Sequence, residues 1–265
     1  MNFNDLTITS IDAINAFNIS TGAYRFTLDE LQSAKIANSQ DESDITGKNG
    51  RLLSTLKRNK TVTISGTNGL VSGGLLEVQT GGEFATQDKA TVRWTDYLTI
   101  KSNKATTEFK AIGTTGAEIV ALNIKNADST IGKALVQDAA ASEGKFAYDP
   151  STKEITFKTG DYEDGTEIVV IYDRNIKADV LDNYSDVYSE KCKLYIDATA
   201  EDKCGLEYRV QFYIPKADFS GTFDIDMGDN QTVHAFEAKS QASACGGNGK
   251  LWTYTVFGAN AADAA

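Results

Sequence analysis

The residues of this sequence that could do chemistry are few and scattered. Its one histidine, His234, lies in a segment that alternates like a strand, and no nucleophile or carboxylate is suitably spaced from it. We therefore predict a structural or surface histidine rather than a general base. Carboxylates paired for glycoside hydrolysis would lie about 5–10 Å apart in space, and the sequence singles out no such pair.

Two kinds of segment resemble binding loops without meeting their requirements. Residues 224–230 contain three Asp, but they lack the ligand order of an EF-hand and the Glu that closes its calcium loop. The glycine-rich segments 66–69 and 246–249 lack the Gly-Lys-Ser/Thr ending of a phosphate loop. We predict turns at these positions, and neither a metal nor a cofactor.

The three cysteines predict neither a zinc site nor a complete disulfide framework. Cys192, Cys204 and Cys245 are odd in number and have no CxxC spacing, so reduced and partly buried thiols are expected. Cys192 and Cys204 flank a possible hairpin, which leaves a pair between them conceivable.

Length and charge limit the class of protein. The 265 residues, 41% of them hydrophobic, suffice for one large domain or two modest ones with a real core. No apolar stretch approaches the roughly 20 residues of a membrane helix, and residues 1–5 do not resemble a secretion signal, so assembly in a cytoplasm is expected. The net charge is −11, and residues 146–229 hold 19 Asp or Glu against 9 Lys or Arg, which argues against binding to nucleic acid.

The hydrophobic pattern is mainly that of antiparallel strands. The chain has 22 Gly and only 2 Pro, and apolar residues alternate with polar ones in several runs. These runs predict half-buried strands at residues 61–65, with Val62 and Ile64 inward; 206–214; 221–227, with Phe223, Ile225 and Met227 inward; and 251–257, with Trp252, Tyr254 and Val256 on one face.

Two segments have helical spacing instead. Residues 68–80 place Val71, Leu75 and Val78 on one side, with Thr67 or Asn68 as the N-cap and Gly81-Gly82 as the stop. Residues 27–35 have a capping-box pattern, which predicts an early helix.

Residues 103–180 differ from the segments on either side. Short apolar runs at 117–124, 154–157 and 167–172 are separated by turn signals, which predicts a small β module inserted into a larger β domain. The larger domain is therefore discontinuous, comprising 1–102 and 181–265.

A charged loop precedes the strand at 61–65. It presents acidic and basic residues in separate blocks: Asp41, Glu42 and Asp44, then Lys48, Arg51, Lys57, Arg58 and Lys60. Such a bipolar loop is suited to dock head to tail on a copy of itself. The alternative is an ordinary solvated surface loop.

The 47–51 loop, the 60–66 strand, the 70–78 helix and the 249–256 strand together resemble the tail tube (major tail) proteins of long-tailed bacteriophages. The resemblance covers about 1–102 and 181–258. It implies an antiparallel β-sandwich or barrel core with a flanking α-helix, in which the loop from Asp41 to Lys60 reaches the neighbouring ring. It further implies stacked hexameric rings, a lumen through which DNA passes without specific binding, and contacts with the tape measure, terminator and distal tail proteins of the virion.

Two other classes share the strand pattern. One is an immunoglobulin-like capsid decoration or adhesin module, which would expose aromatic loops. The other is a carbohydrate-active β-sandwich enzyme, which would need an acidic cleft with a perturbed carboxylate.

Overall fold

A computed structural model describes residues 5–227, 232–242 and 249–258. In this range the chain is mainly antiparallel β with one α-helix, as predicted. The elements in chain order are β1 (Leu6–Asn18), β2 (Tyr24–Leu28), β3 (Leu31–Thr46), β4 (Leu52–Asn68), α1 (Gly73–Thr80), β5 (Ala85–Thr99), β6 (Lys104–Thr106), β7 (Ile119–Lys125), β8 (Ile131–Gln137), β9 (Lys145–Asp149), β10 (Glu154–Phe157), β11 (Glu167–Val180), β12 (Lys191–Asp202), β13 (Glu207–Phe219), β14 (Ile225–Met227), β15 (Thr232–Ser240) and β16 (Thr253–Gly258).

The chain divides into two compact units. The inserted unit is Ala85–Val180, and the described residues on either side of it form the first unit. The inserted unit begins at Ala85 rather than at residue 103, because β5 pairs with β11 from Ala85↔Val180 to Thr99↔Glu167. The start of β5 is charged and alternates only weakly, so the sequence pattern does not predict this long ladder.

A nine-stranded sheet builds the first unit. Its main order is β2-β1-β12-β13-β15-β4-β3, with β16 on β13 and β14 on β15. Strictly alternating strands supply the core: β12 buries Cys192, Leu194 and Ile196, and β4 buries Val62 and Ile64 as predicted. The strand prediction at 206–214 is confirmed by β13, which buries Val210 and Ile214.

The helix α1 covers part of this core. Leu75 and Val78 of the helix are fully buried in the core, and the burial of each side chain stabilises the fold by roughly 1.5–3 kcal/mol. The predicted stop is confirmed by Gly81, which has a left-handed φ of 76°, whereas Ser72 is the N-cap instead of Thr67 or Asn68. A Cβ on Gly74 would lie 2.7 Å from Phe26 Cβ, so glycine lets the helix approach β2.

His234 fixes α1 to β15 and is a structural histidine. It is fully buried; Nδ1 accepts a hydrogen bond from the Ser72 backbone at 3.3 Å, and Nε2 lies 2.7 Å from Gln79 Oε1. Gln79 in turn donates to the Ala235 carbonyl at 3.0 Å. These contacts require the neutral ring with its proton on Nε2, and burial lowers the pKa of His234.

Three sequence predictions about local structure are wrong. The turn predicted at 66–69 is mostly strand, because β4 continues to Asn68 and Gly66 pairs with β15 on one side and with β3 on the other. The early helix at 27–35 is instead the end of β2 and the start of β3, because Phe26 and Leu28 enter the core and Thr27 hydrogen-bonds Asn15 at 2.6 Å. In the predicted strand at 221–227, only Ile225–Met227 is extended, and Met227 is 90% exposed. Among the described residues this short strand pairs only with β15.

The inserted unit has its own seven-stranded sheet, in the order β5-β11-β7-β8-β9-β10-β6. It is antiparallel except for the β8–β9 pair, and its separate core includes Ile155, Ile168 and Tyr172. The buried carboxylate of Asp96 accepts hydrogen bonds from Tyr172, from the Trp94 indole and from the Glu108 backbone at 2.8–2.9 Å. This network ties the segment after β6 to the sheet.

We predict that the stability of the first unit falls as the pH drops below about 6.5, the ordinary pKa of histidine. Below this pH the unfolded chain binds a proton at His234, whereas in the folded protein burial lowers the pKa of this histidine. Protonation therefore favours unfolding. His234→Leu should remove this component of the pH dependence. It should also cost about 1–3 kcal/mol at pH 8 for each partner left unpaired. Denaturant unfolding from pH 5.5 to 8 tests both effects, and an unchanged pH profile in the variant would contradict the assignment.

Candidate functional site

The charged segment identified from the sequence is a long β-hairpin rather than a loop. Strands β3 and β4 pair from Leu31↔Asn68 out to Thr46↔Leu52, and a short 3₁₀ turn at Lys48–Gly50 joins them. Only the base of the hairpin has a further neighbour, since β15 pairs with β4 over residues 62–68. Residues 39–61, which we call the arm, are exposed throughout except for two half-buried positions.

The hairpin brings the two predicted charge blocks side by side. Asp41 lies opposite Arg58 and Glu42 opposite Lys57, with 3.8 Å between the Glu42 Oε1 and Lys57 Nζ atoms. Asp44 accepts a hydrogen bond from Thr55 at 2.8 Å, and Asp41 accepts one from Asn59 at the same distance. The blocks therefore face each other across one ladder and do not form separate acidic and basic surfaces.

The remaining predicted residues are at the tip and near the base of the arm. Lys48 is in the turn, Arg51 follows it and Lys60 is exposed on β4. The turn uses left-handed φ angles of 64° at Asn49 and 71° at Gly50. With three carboxylates and five cations, the arm is positive in a chain whose net charge is −11, which favours contact with an acidic surface.

Apolar side chains at the tip of the arm were not predicted, because the prediction for this segment was based on its charged residues. Ile45, Leu52, Leu53 and Leu56 are between 39% and 57% exposed. Leu53 folds over the turn, where a Cβ on Gly47 would lie 2.8 Å from Leu53 Cδ1. The signal available in the sequence was the Leu52-Leu53 pair, followed by Leu56, in a segment otherwise made of polar residues. A cluster of exposed apolar side chains of this kind marks an interaction surface.

Three long strand edges of the first unit have no ladder partner among the described residues. One is the side of β3 opposite β4, and another is β4 over residues 52–61. The third is β1 over residues 6–13, because β2 covers that side of β1 only over residues 14–17. Unpaired edges of this length are templates for pairing with another chain.

The outer face of the β1-β12-β13 sheet is polar and aromatic. Asp197 accepts hydrogen bonds from Asn15 at 3.2 Å and from Gln211 at 2.8 Å. Beside them Tyr195 stacks on Tyr213, with 4.8 Å between the ring centroids. The polar groups satisfy one another across neighbouring strands, which suits a surface that stays in contact with water.

The candidate chemical groups are not arranged for catalysis in the part of the chain that the structure describes. Both ring nitrogens of His234 are engaged in the core, and burial raises the pKa of the Cys192 thiol to about 12. Cys192 is buried, Cys204 is exposed and both are free, while Cys245 lies outside the described residues. Within those residues there is no group of three His, Cys, Asp or Glu side chains placed to hold a metal ion, and no helix has the length and apolar character to span a membrane.

Comparison with known proteins supports a structural role for this chain. The family model described as the YomU/Tube protein family matches residues 6–253, which includes both units and the whole arm. No curated protein matches the chain. The family agrees with the resemblance to phage tail tube proteins seen in the sequence. The chain belongs to the YomU/Tube protein family.

Proposed function

We propose that this protein is the subunit of a bacteriophage tail tube, which self-assembles into rings that stack around a lumen for DNA. Family membership supports a structural tube protein of the virion tail over an enzyme. The observation that carries the proposal is the arm: residues 39–61 form an exposed hairpin that extends from the first unit, with free backbone edges and apolar side chains at the tip. A subunit in isolation gains little from such a structure.

The free edges provide a physical reason for ring formation. A free edge is satisfied when a neighbouring copy adds its own strand, and closure of the ring leaves no edge unpaired. The arm then provides contacts out of the plane of the ring, between one ring and the next. A heterologous contact of this kind repeats without limit and generates a tube.

The charge distribution supports the passage of DNA without binding. Phosphates are held mainly by clustered Lys and Arg, and this chain has 37 Asp and Glu against 26 Lys and Arg. Tube ends would also contact the tape measure, terminator and distal tail proteins, and assembly would take place in the host bacterial cytoplasm.

Electron microscopy of the purified protein tests the proposal directly. We expect rings or tubes in negative stain, and light scattering should show large assemblies that grow with protein concentration. A decoration or adhesin module would instead give compact monomers or trimers, and a carbohydrate-active enzyme compact particles with hydrolytic activity. A strictly monomeric species at every concentration and salt tested would overturn the proposal.

Charge reversal in the arm should weaken ring stacking without unfolding the protein. Arg51→Glu with Arg58→Glu makes the positive arm negative, whereas exposed charge pairs contribute little to domain stability. We expect unchanged circular dichroism and a mean tube length reduced several-fold. The matched control is Lys89→Glu with Lys101→Glu, which reverses two exposed cations of the inserted unit. Equal tube lengths in the two double variants would show that the arm charges contact only solvent and do not contribute to ring stacking.

Assembled protein should leave duplex DNA unretarded in a gel-shift assay, even at about 50 mM salt, where attraction to phosphate is strong. Free subunits provide the control, because they expose the cations of the arm. Retardation by the tubes that weakens with added salt would contradict a lumen without affinity for DNA. It would show that the arm cations face inward.

A further inference from the structure

An apolar groove of about 470 Å³ opens on the first unit between β1 and β3. Its lining includes Ile8 and Ile11 from β1, Ala34 and Ile36 from β3, and the rings of Phe212 and Trp252. Ile8 is 48% exposed, so part of this lining is in contact with solvent. An open apolar groove of this size favours a partner with several apolar side chains.

The groove also lies between two of the unpaired strand edges. Ile8 and Ile11 belong to the part of β1 that β2 does not cover, and Ala34–Asn38 belong to the outer edge of β3. A partner that enters as a strand would satisfy backbone groups and fill the groove with alternate side chains. The geometry therefore favours a β-strand over a helix or a small molecule.

The tip of the arm has the properties that the groove requires. It is a strand pair with a free edge, and it exposes Leu52, Leu53 and Leu56 together with Ile45. The register places Ile45 and Leu56 on one face, since Ser43 lies opposite Leu56 and Ile45 opposite Ser54.

The arm cannot fill the groove of its own chain. Strand β3 contributes both the groove wall and the arm, and Thr46 is eight residues beyond Asn38, roughly 26 Å along an extended strand. The ladder with β4 keeps this segment extended. In the structure the tip side chains are exposed and the groove is open.

We infer that the arm tip of one copy inserts into the β1–β3 groove of a second copy. This inference rests on the proposed assembly and names the receptor surface for the arm. The contact is heterologous, because the tip and the groove are different surfaces, so each copy donates one tip and accepts another. Copies joined in this way repeat head to tail.

Paired variants test this arrangement. Leu52→Asp disables the tip and Ile8→Glu disables the groove; both residues are about half exposed, so the fold should survive. The matched control is Ile131→Asp, at an isoleucine of the inserted unit that is 61% exposed. Circular dichroism verifies the fold. We expect at least a tenfold loss of large assemblies for the tip and groove variants, and none for the control.

Mixing separates a heterologous contact from a general loss of solubility. The tip variant keeps an intact groove and the groove variant an intact tip, so the two arrested species, purified separately and then combined, should form a species of twice the mass. Light scattering after gel filtration measures this mass. No gain in mass on mixing would overturn the inference.

Crosslinking identifies the occupant of the groove. A benzoylphenylalanine at position 52 in isotopically heavy protein, mixed with light protein, should crosslink to light peptides that contain Ile8, Ile36 or Trp252. Crosslinks to other peptides would overturn the inference, as would crosslinks within one copy. If wild-type protein forms tubes and both variants do too, only the groove inference fails; if wild-type protein never assembles, the proposed function fails.

Discussion

The hydrogen-bonding demand of exposed strand edges is the constraint on which this structure depends. Every backbone N–H and C=O needs a partner, and a strand at the edge of a sheet meets half of that demand only through water or another chain. In the first unit the outer edge of β3, the far part of β4 and the first half of β1 are all in this condition. Natural monomers shorten or cover such edges, whereas here they are long and one carries an apolar tip.

The core of the first unit must hold these edges in fixed positions. Its sheet is anchored by alternating residues of β12 and β13, and α1 covers part of the apolar face. The position of α1 depends on buried polar contacts with β15. His234 of β15 accepts a hydrogen bond from the Ser72 backbone at the start of the helix and contacts Gln79 near its end, and Gln79 donates to the Ala235 carbonyl of β15. Because β15 pairs directly with β4, the same contacts fix the strand from which the arm extends.

The inserted unit follows a different design. It is held by its own core and by the Asp96 network, in which one buried carboxylate accepts three hydrogen bonds. Burial of Tyr172 raises the pKa of its hydroxyl, and the hydrogen bond to Asp96 raises it further. The arm and the groove both belong to the first unit.

The sequence by itself determined the β class, the discontinuous core, the helix with its Gly81 stop and the inward positions of Val62 and Ile64, because local periodicity and turn chemistry decide these features. It also predicted a contact with another copy at residues 41–60, which stays a prediction. Tertiary structure decided the rest. Residues 27–35 became strand because Phe26 and Leu28 pack into the core, and the charged loop became a hairpin because its two halves continue the β3–β4 ladder that begins in the sheet. The groove joins residues from positions 8 to 252, and no pattern along the chain encodes the curvature of the sheet that brings them together.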